Sequence, residues 1–326
     1  IMEVRMEAQK LSAVKPVNSK KDHSKLSKAL KQIKSEYHLY LMFTPVIAYY
    51  IIFRYILMIG SVIIATTDYN IYKGLFASPF VGLTNFKEFM NNVYFWRLIR
   101  NTLAISLLDL IFAFPAPIIF ALLLNEVTKK RIKGIIQTIS YLPHFISTVV
   151  IASMIITFLS QTGLVNNLIA YFGGEKIPFL LKEEYFWGIM TIESIWVGMG
   201  WGAIIYLAAL TNVNKELYEA AYLDGAGRLR QTWHITIPGI APTIVVMFLL
   251  KIGNLLNVGY QLIILIYNPS IYSTADVIST YVYRRGILEA SYSFSTAVEF
   301  FQSIIGLVFV TVSNKLSKKI TESSLW

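Results

Sequence analysis

Lys251, Asn254, Asn257 and Gln261 stand in an otherwise apolar run, where each is expensive to place. In one continuous helix, at about 100° per residue, the four would fall within about 120° and form a polar stripe. Such a stripe either glues helices together or lines a pathway. Arg54, Asp109 and Glu193 also interrupt apolar segments. With Lys251 they make two bases and two acids, so pairing inside the membrane and the lining of a cavity are both open readings. Other chemistry is excluded. The chain has no cysteine, so thiolate metal sites, disulfides and cysteine nucleophiles are ruled out. Its four histidines (His23, His38, His144, His234) include no pair at i, i+4, which argues against a histidine metal site. His144, after Pro143, reads as a buried, hydrogen-bonded structural residue. No G-x-x-x-x-G-K-[ST] occurs, so the chain has no P-loop to cradle nucleotide phosphates.

The elements that position these residues are membrane helices. The chain has 326 residues, 55% hydrophobic and 15% charged, with mean hydropathy +0.56. A soluble domain carries about a quarter charged residues. Six segments have the roughly 20 apolar residues that a bilayer requires, near 39–67, 98–124, 134–160, 186–210, 239–264 and 296–316. The fold class expected is therefore an all-α membrane protein of six transmembrane helices. Residues 38–326 form the membrane domain and 1–37 a basic tail. The first apolar run is too long for a signal peptide and no small-residue cleavage site follows it, so an uncleaved first span is expected. Pro45, Pro115, Pro117, Pro143 and Pro242 fall inside spans and predict kinks.

Lys and Arg set the orientation. Nineteen lie in the N-terminal segment, the 125–133 and 211–238 loops and the C-terminal tail, against eight on the opposite side. The positive-inside rule then places both termini in the cytoplasm. The net charge of +10 becomes a topology signal and a contact with anionic membrane lipid, with no need for nucleic acid as a partner.

The 211–238 loop is consequently cytoplasmic. Asn214 is suited to cap a helix with Glu216 in its first turn, and Lys215 to Leu223 are good helix formers. Asp224-Gly225-Ala226-Gly227 stops the helix. Arg228 to Ile237 can form a second short helix, which Pro238 is expected to end as the fifth span begins. Glu219 is expected to pair with Arg228 or Arg230. An ordinary amphipathic connector remains the plainer reading of this loop.

Glu219-Ala220-Ala221, then Gly225, Ile235 and Pro238 at their spacing, resemble the EAA loop of ABC importer permeases; Ile237 stands where that pattern has Leu. FPAPIIFALLLNE (114–126), YLPHFIS (141–147), GWGAIIYLAAL (200–210), GNLLNVGY (253–260) and Asn101-Thr102-Leu103 are similar to type I carbohydrate-uptake permeases, closest to those for complex, aldouronate-like oligosaccharides. The resemblance covers about residue 37 to the end. It implies a type I importer permease fold in a bacterial cell membrane. It also implies a non-catalytic subunit that binds no cofactor and works with a second, homologous permease in a heterodimer. Two cytoplasmic ATPase subunits would hold ATP and Mg²⁺, and an extracellular solute-binding protein would deliver the sugar. Residues 215–223 would insert into an ATPase cleft.

On that reading the candidate pathway comprises Lys251, Asn254, Asn257, Gln261 and Glu193, with Trp196 and Tyr260 as faces for a sugar to stack on. Lys251 would suit an acidic or N-acetylated sugar. The loop 265–295, with Tyr267, Tyr272, Tyr281, Tyr283, Tyr292, Arg284 and Arg285, would face the binding protein, although aromatic residues at a membrane interface need no such partner. The alternatives are a permease for a non-sugar solute, a secondary transporter, a membrane enzyme or a channel. A secondary transporter predicts two similar halves, which the sequence lacks. An enzyme would want a converging catalytic set, and a channel leaves the EAA element unexplained.

Overall fold

The computed structural model describes residues 35–321. Most of the basic tail expected over 1–37 lies outside the described residues. The chain divides between Gly60 and Ser61 into two units. The described part of the first is the start of helix α1 (Tyr37–Thr66), with Pro45 inside it and Arg54 in a π turn at Ile51–Ile56.

The second unit carries the end of α1 and the remaining helices. These are α2 (Thr84–Met90), α3 (Phe95–Asn125), α4 (Lys130–Tyr141), α5 (Thr148–Leu159), α6 (Leu164–Tyr171) and α7 (Phe186–Leu210). They continue with α8 (Lys215–Leu223), α9 (Arg228–Gly253), α10 (Tyr260–Ile266), α11 (Ile278–Tyr283) and α12 (Tyr292–Thr321). Six segments of the described chain are long and apolar enough to cross a bilayer.

Proline decides where these helices continue and where they break. In α3 the stretch Asp109–Ala113 is a π turn, in which the Phe114 N–H donates to Asp109 O at 2.8 Å. The wider turn lets Pro115 and Pro117 follow without ending the helix. The same device corrects an expectation at Pro238. Thr232–Thr236 is a π turn, and the helix runs from Arg228 through Pro238 to Gly253 instead of stopping there.

Two single helices expected from hydropathy are each in two pieces. Over 134–160, α4 ends at Tyr141, Leu142–Phe145 form a 3-10 turn around Pro143, and Ser147 restarts the chain by accepting the Val150 N–H at 3.4 Å. Over 239–264, α9 ends at Gly253 and α10 begins at Tyr260. Side chains satisfy the carbonyls freed at this second break. Asn254 donates to Leu250 O (3.0 Å), Gln302 to Leu256 O (2.8 Å), Ser106 to Leu255 O and Ser279 to Val258 O. A broken helix at membrane depth persists only with such partners.

Three apolar clusters hold the unit together. One joins α3, α5, α7 and α10 through Ile105, Ile151, Phe186, Met190 and Ile263. A second joins α2, α3, α11 and α12 through Phe89, Leu98, Ile278 and Phe294. The third seats α7 against α3 and α9 through Ala121, Ala203, Tyr206 and Ile240. Small residues let the backbones approach. A Cβ on Gly200 would lie 2.0 Å from Ser140 O of α4, and one on Gly306 would lie 2.6 Å from Gly253 O.

Candidate functional site

The break in α9 brings the polar residues together by a route other than a helical stripe. Because the helix ends at Gly253, Lys251, Asn254, Asn257 and Gln261 do not share one helical face. They nevertheless line one cavity of about 370 Å³ between α3, α7 and the break. Glu193, Ser194, Thr191, Asp109, Ser106 and Thr148 complete its polar lining. Lys251 Nζ forms an ion pair with Asp109 Oδ2, and Ser194 Oγ donates to Asp109 Oδ1. One acid and one base thus meet in the membrane. Glu193 and Arg54 make no ion pair among the described residues.

Asn254 and Asn257 also line a second cavity, of about 570 Å³, on the other side of the break. Tyr260 and Tyr283 are in its wall and stack at 5.3 Å with planes 23° apart. Glu299 and Gln302 of α12 face the same space. Neither was singled out from the sequence, yet a carboxylate and an amide at i, i+3 inside an apolar span carry the same signal that Lys251 and Asn254 do. Trp196 lines neither cavity; it is 40% exposed elsewhere on α7. His144 is not buried, as expected from its neighbourhood, but exposed, and its ring stacks on Trp201 at 4.6 Å. The turn at Pro143 swings it off the helix.

The loop between α7 and α9 is a compact hairpin of helices. Asn214 Oδ1 accepts the Glu216 N–H at 3.0 Å and starts α8. At the other end the Ala226 N–H reaches Ala221 O (2.8 Å) and the Gly225 N–H reaches Tyr222 O (3.0 Å), with Gly225 at φ +76°. This is a Schellman closure, and its left-handed position favours glycine. Tyr218 hydrogen-bonds Thr236 at 2.9 Å and fastens α8 to α9.

Glu219 and Ala220 are exposed on α8, Ala221 and Ile235 are half-buried, and Gly225 and Pro238 are exposed. The expected pairing of Glu219 is absent among the described residues. Arg228 instead meets Glu126 at 3.3 Å, because α9 starts beside the end of α3. Leu217, Tyr222, Leu223, Leu229 and Trp233 are also exposed, an apolar display unusual for a solvated loop.

The 265–295 segment is a folded cap. Asp276 is fully buried and receives Arg97 at 3.0 Å and Arg284 at 2.8 Å. Burial alone would lower the Arg284 value, but its bond to and charge attraction by Asp276 outweigh that and raise it. Asn101, also fully buried, donates to Ser273 O and Asp276 O, both at 2.9 Å. Thr102 Oγ1 accepts the Ile278 N–H at 3.0 Å. The Asn101-Thr102 pair therefore clamps the cap to α3. Tyr281 is buried within it, while Tyr267 and Tyr272 pack ring to ring at 4.9 Å.

Comparison with known proteins follows the same lines. The family described as "Binding-protein-dependent transport system inner membrane component" matches residues 113–321. Protein LplB of Bacillus subtilis (strain 168) is 46% identical over 295 residues, 90% of this chain and 92% of LplB. The polygalacturonan/rhamnogalacturonan transport system permease protein YteP of the same organism is 44% identical over 298 residues, 91% of this chain and 92% of YteP. Among solved structures, a chain of a bacterial alginate ABC transporter, in complex with an alginate pentasaccharide-bound periplasmic protein, superposes with TM-score 0.82. It is 41% identical, over 90% of this chain and 99% of that one. The chain belongs to the family of binding-protein-dependent transport system inner membrane components, the non-catalytic permease subunits of ABC importers.

Proposed function

We propose that this permease forms half of the translocation pathway for an oligosaccharide, handed over by an extracellular binding protein. A second, homologous permease supplies the other half in a heterodimer. Two ATPase subunits on the cytoplasmic side bind ATP and Mg²⁺ and drive the cycle. The observation that carries this reading is the convergence of Lys251, Asn254, Asn257, Gln261 and Glu193 on one cavity at a broken membrane helix. Amides, an ammonium and carboxylates match sugar hydroxyls, and Tyr260 and Tyr283 add aromatic faces next door.

Two of the similar proteins support the sugar class. YteP is named for polygalacturonan and rhamnogalacturonan, and the superposed transporter for alginate. The exposed Leu217, Tyr222, Leu223, Leu229 and Trp233 around α8 supply an apolar surface for the ATPase to receive. Lys129, Lys130, Arg131 and Lys133 next to the same end of the unit support a cytoplasmic position for the loop and both termini in a bacterial cell membrane.

The test is reconstitution of the permease with its partner permease, ATPases and binding protein in proteoliposomes. Uptake is measured for galacturonate, alginate and neutral oligosaccharides. ATP-dependent uptake of an oligosaccharide is expected, reduced by Asn257→Ala and Lys251→Ala. Transport at the wild-type rate in both variants would remove the cavity from the pathway.

A further inference from the structure

Two sequence segments that the cavity does not absorb, YLPHFIS at 141–147 and GWGAIIYLAAL at 200–210, meet each other. Beyond the tight crossing of Ser140 and Gly200, the His144 ring lies over the Trp201 ring, centroids 4.6 Å apart and planes within 4°. Phe145 meets Trp201 edge-on at 5.5 Å and 85°, which fixes the indole from a second side. All three side chains are exposed, Trp201 by 44% and Phe145 by 69%.

One of the two elements that carry this platform, α7, also lines the polar cavity, and the other ends just before a helix that does. On α7 the cavity residue Ser194 is seven positions before Trp201. At about 100° and 1.5 Å per residue, the two share a helix face to within about 20° and lie about 10 Å apart along the axis. Thr148, also a cavity residue, opens α5 just past the turn that carries His144 and Phe145.

Exposed tryptophan and phenylalanine could face lipid, but the histidine could not do so cheaply. No hydrogen bond reaches either ring nitrogen of His144 among the described residues. An imidazole in that condition is costly against hydrocarbon and comfortable against water or a polar ligand.

We infer that His144 and Trp201 form a sugar-ring subsite on the translocation pathway, about two helical turns beyond the polar cavity toward the α7–α8 end. A pyranose offers an apolar C–H face and a rim of hydroxyls. The platform offers a flat aromatic surface and imidazole nitrogens to match. This subsite rests on the pathway reading of the cavity.

The test uses the absence of cysteine in this chain, since His144→Cys gives it a single thiol. The complete importer, with its other subunits free of accessible thiols, is reconstituted in proteoliposomes. It is treated with a charged, water-soluble methanethiosulfonate and, separately, with a lipid-soluble maleimide. Asn257→Cys in the cavity serves as the comparison. Expected at position 144 is rapid reaction with the charged reagent, slowed by turnover of the panel sugar that is carried fastest. Trp201→Leu should lower sugar carried per ATP hydrolysed about tenfold, with Trp201→Phe retaining part of it.

Reaction with the maleimide alone would place His144 against lipid. Reaction with neither reagent would place it under a neighbouring subunit. Either result overturns the subsite, as does Trp201→Leu working at the wild-type rate. If His144→Cys fails to assemble, Trp201→Cys is read by the same criteria. When position 257 is accessible and protected but position 144 is not, only the subsite falls. When neither is, the pathway reading falls with it.

Discussion

Replacing Gly200 with alanine probes the crossing on which this arrangement depends. The added Cβ would lie 2.0 Å from Ser140 O and 2.4 Å from its carbonyl carbon, both backbone atoms of α4. Contacts below 3.0 Å are essentially unknown for a real Cβ, so α4 must retreat from α7 by about 1 Å. Overpacking of this kind costs about 1–3 kcal/mol. Alanine is the better helix former by about 0.5–1 kcal/mol, which offsets part of that cost. The net expectation is about 1–2 kcal/mol of destabilisation.

Gly198, two residues earlier in the same helix, is the internal control, because a Cβ there meets nothing within 4 Å. Gly198→Ala should be neutral or stabilising. Thermal unfolding of the detergent-solubilised importer, followed by intrinsic fluorescence, measures both variants side by side. A Gly200→Ala protein that melts with or above wild type would refute the close crossing. So would equal effects of the two substitutions.

Other perturbations have equally defined outcomes. Asp276→Ala should cost about 3–5 kcal/mol, because it strands Arg97 and Arg284 around a fully buried position; limited proteolysis of the 265–295 segment would report the loosening. Lys251→Met should destabilise by leaving the Asp109 carboxylate without its cation. Asp109→Asn combined with Lys251→Met should recover most of that loss in the same melting assay, and a double variant no better than the single would argue against the pair. Gly225→Ala forces a φ of +76° on a residue with a Cβ, at about 1–2 kcal/mol. Its expected result is normal helix content by circular dichroism with less sugar carried per ATP hydrolysed. Unchanged uptake would separate the loop's conformation from transport.

How much of this was visible in the sequence depends on the kind of signal. Hydropathy gave six membrane segments because bilayer thickness is a length requirement that composition meets directly. It set the third at 134–160, where the apolar span of the structure is Thr148–Tyr171, because a proline turn leaves the run of apolar residues unbroken. The start of α8 at Lys215 and its stop at Gly225 were legible because capping is local, set by Asn214 and by one left-handed glycine. The continuity of α9 through Pro238 was not, since a π turn leaves no distinct mark on hydropathy. The break at Gly253 was missed for a related reason. Its carbonyls are satisfied by Ser106, Gln302 and Ser279, which come from elsewhere in the sequence. The polar residues of span five do line one cavity, but not as a stripe: the geometry inferred for them assumed a helix that ends before three of them. Arg228 paired with Glu126 instead of Glu219 because that contact depends on how α3 and α9 pack.

The continuity of α9 has a mechanical consequence. A helix of 26 residues, continuous through both Pro238 and Pro242, is a lever about 39 Å long, rooted in the α8 hairpin at one end and terminating at the polar cavity at the other. A tilt of about 10° about its root would carry the far end sideways by about 7 Å, about one sugar ring's width, since rise per residue fixes the lever arm. Had Pro238 cut the rod, the same push would have been lost in a flexible joint near the membrane surface. The π turn at Thr232–Thr236 keeps that lever in one piece past Pro238, so a small displacement at the hairpin would arrive enlarged at the cavity lined by Lys251 and Asn254.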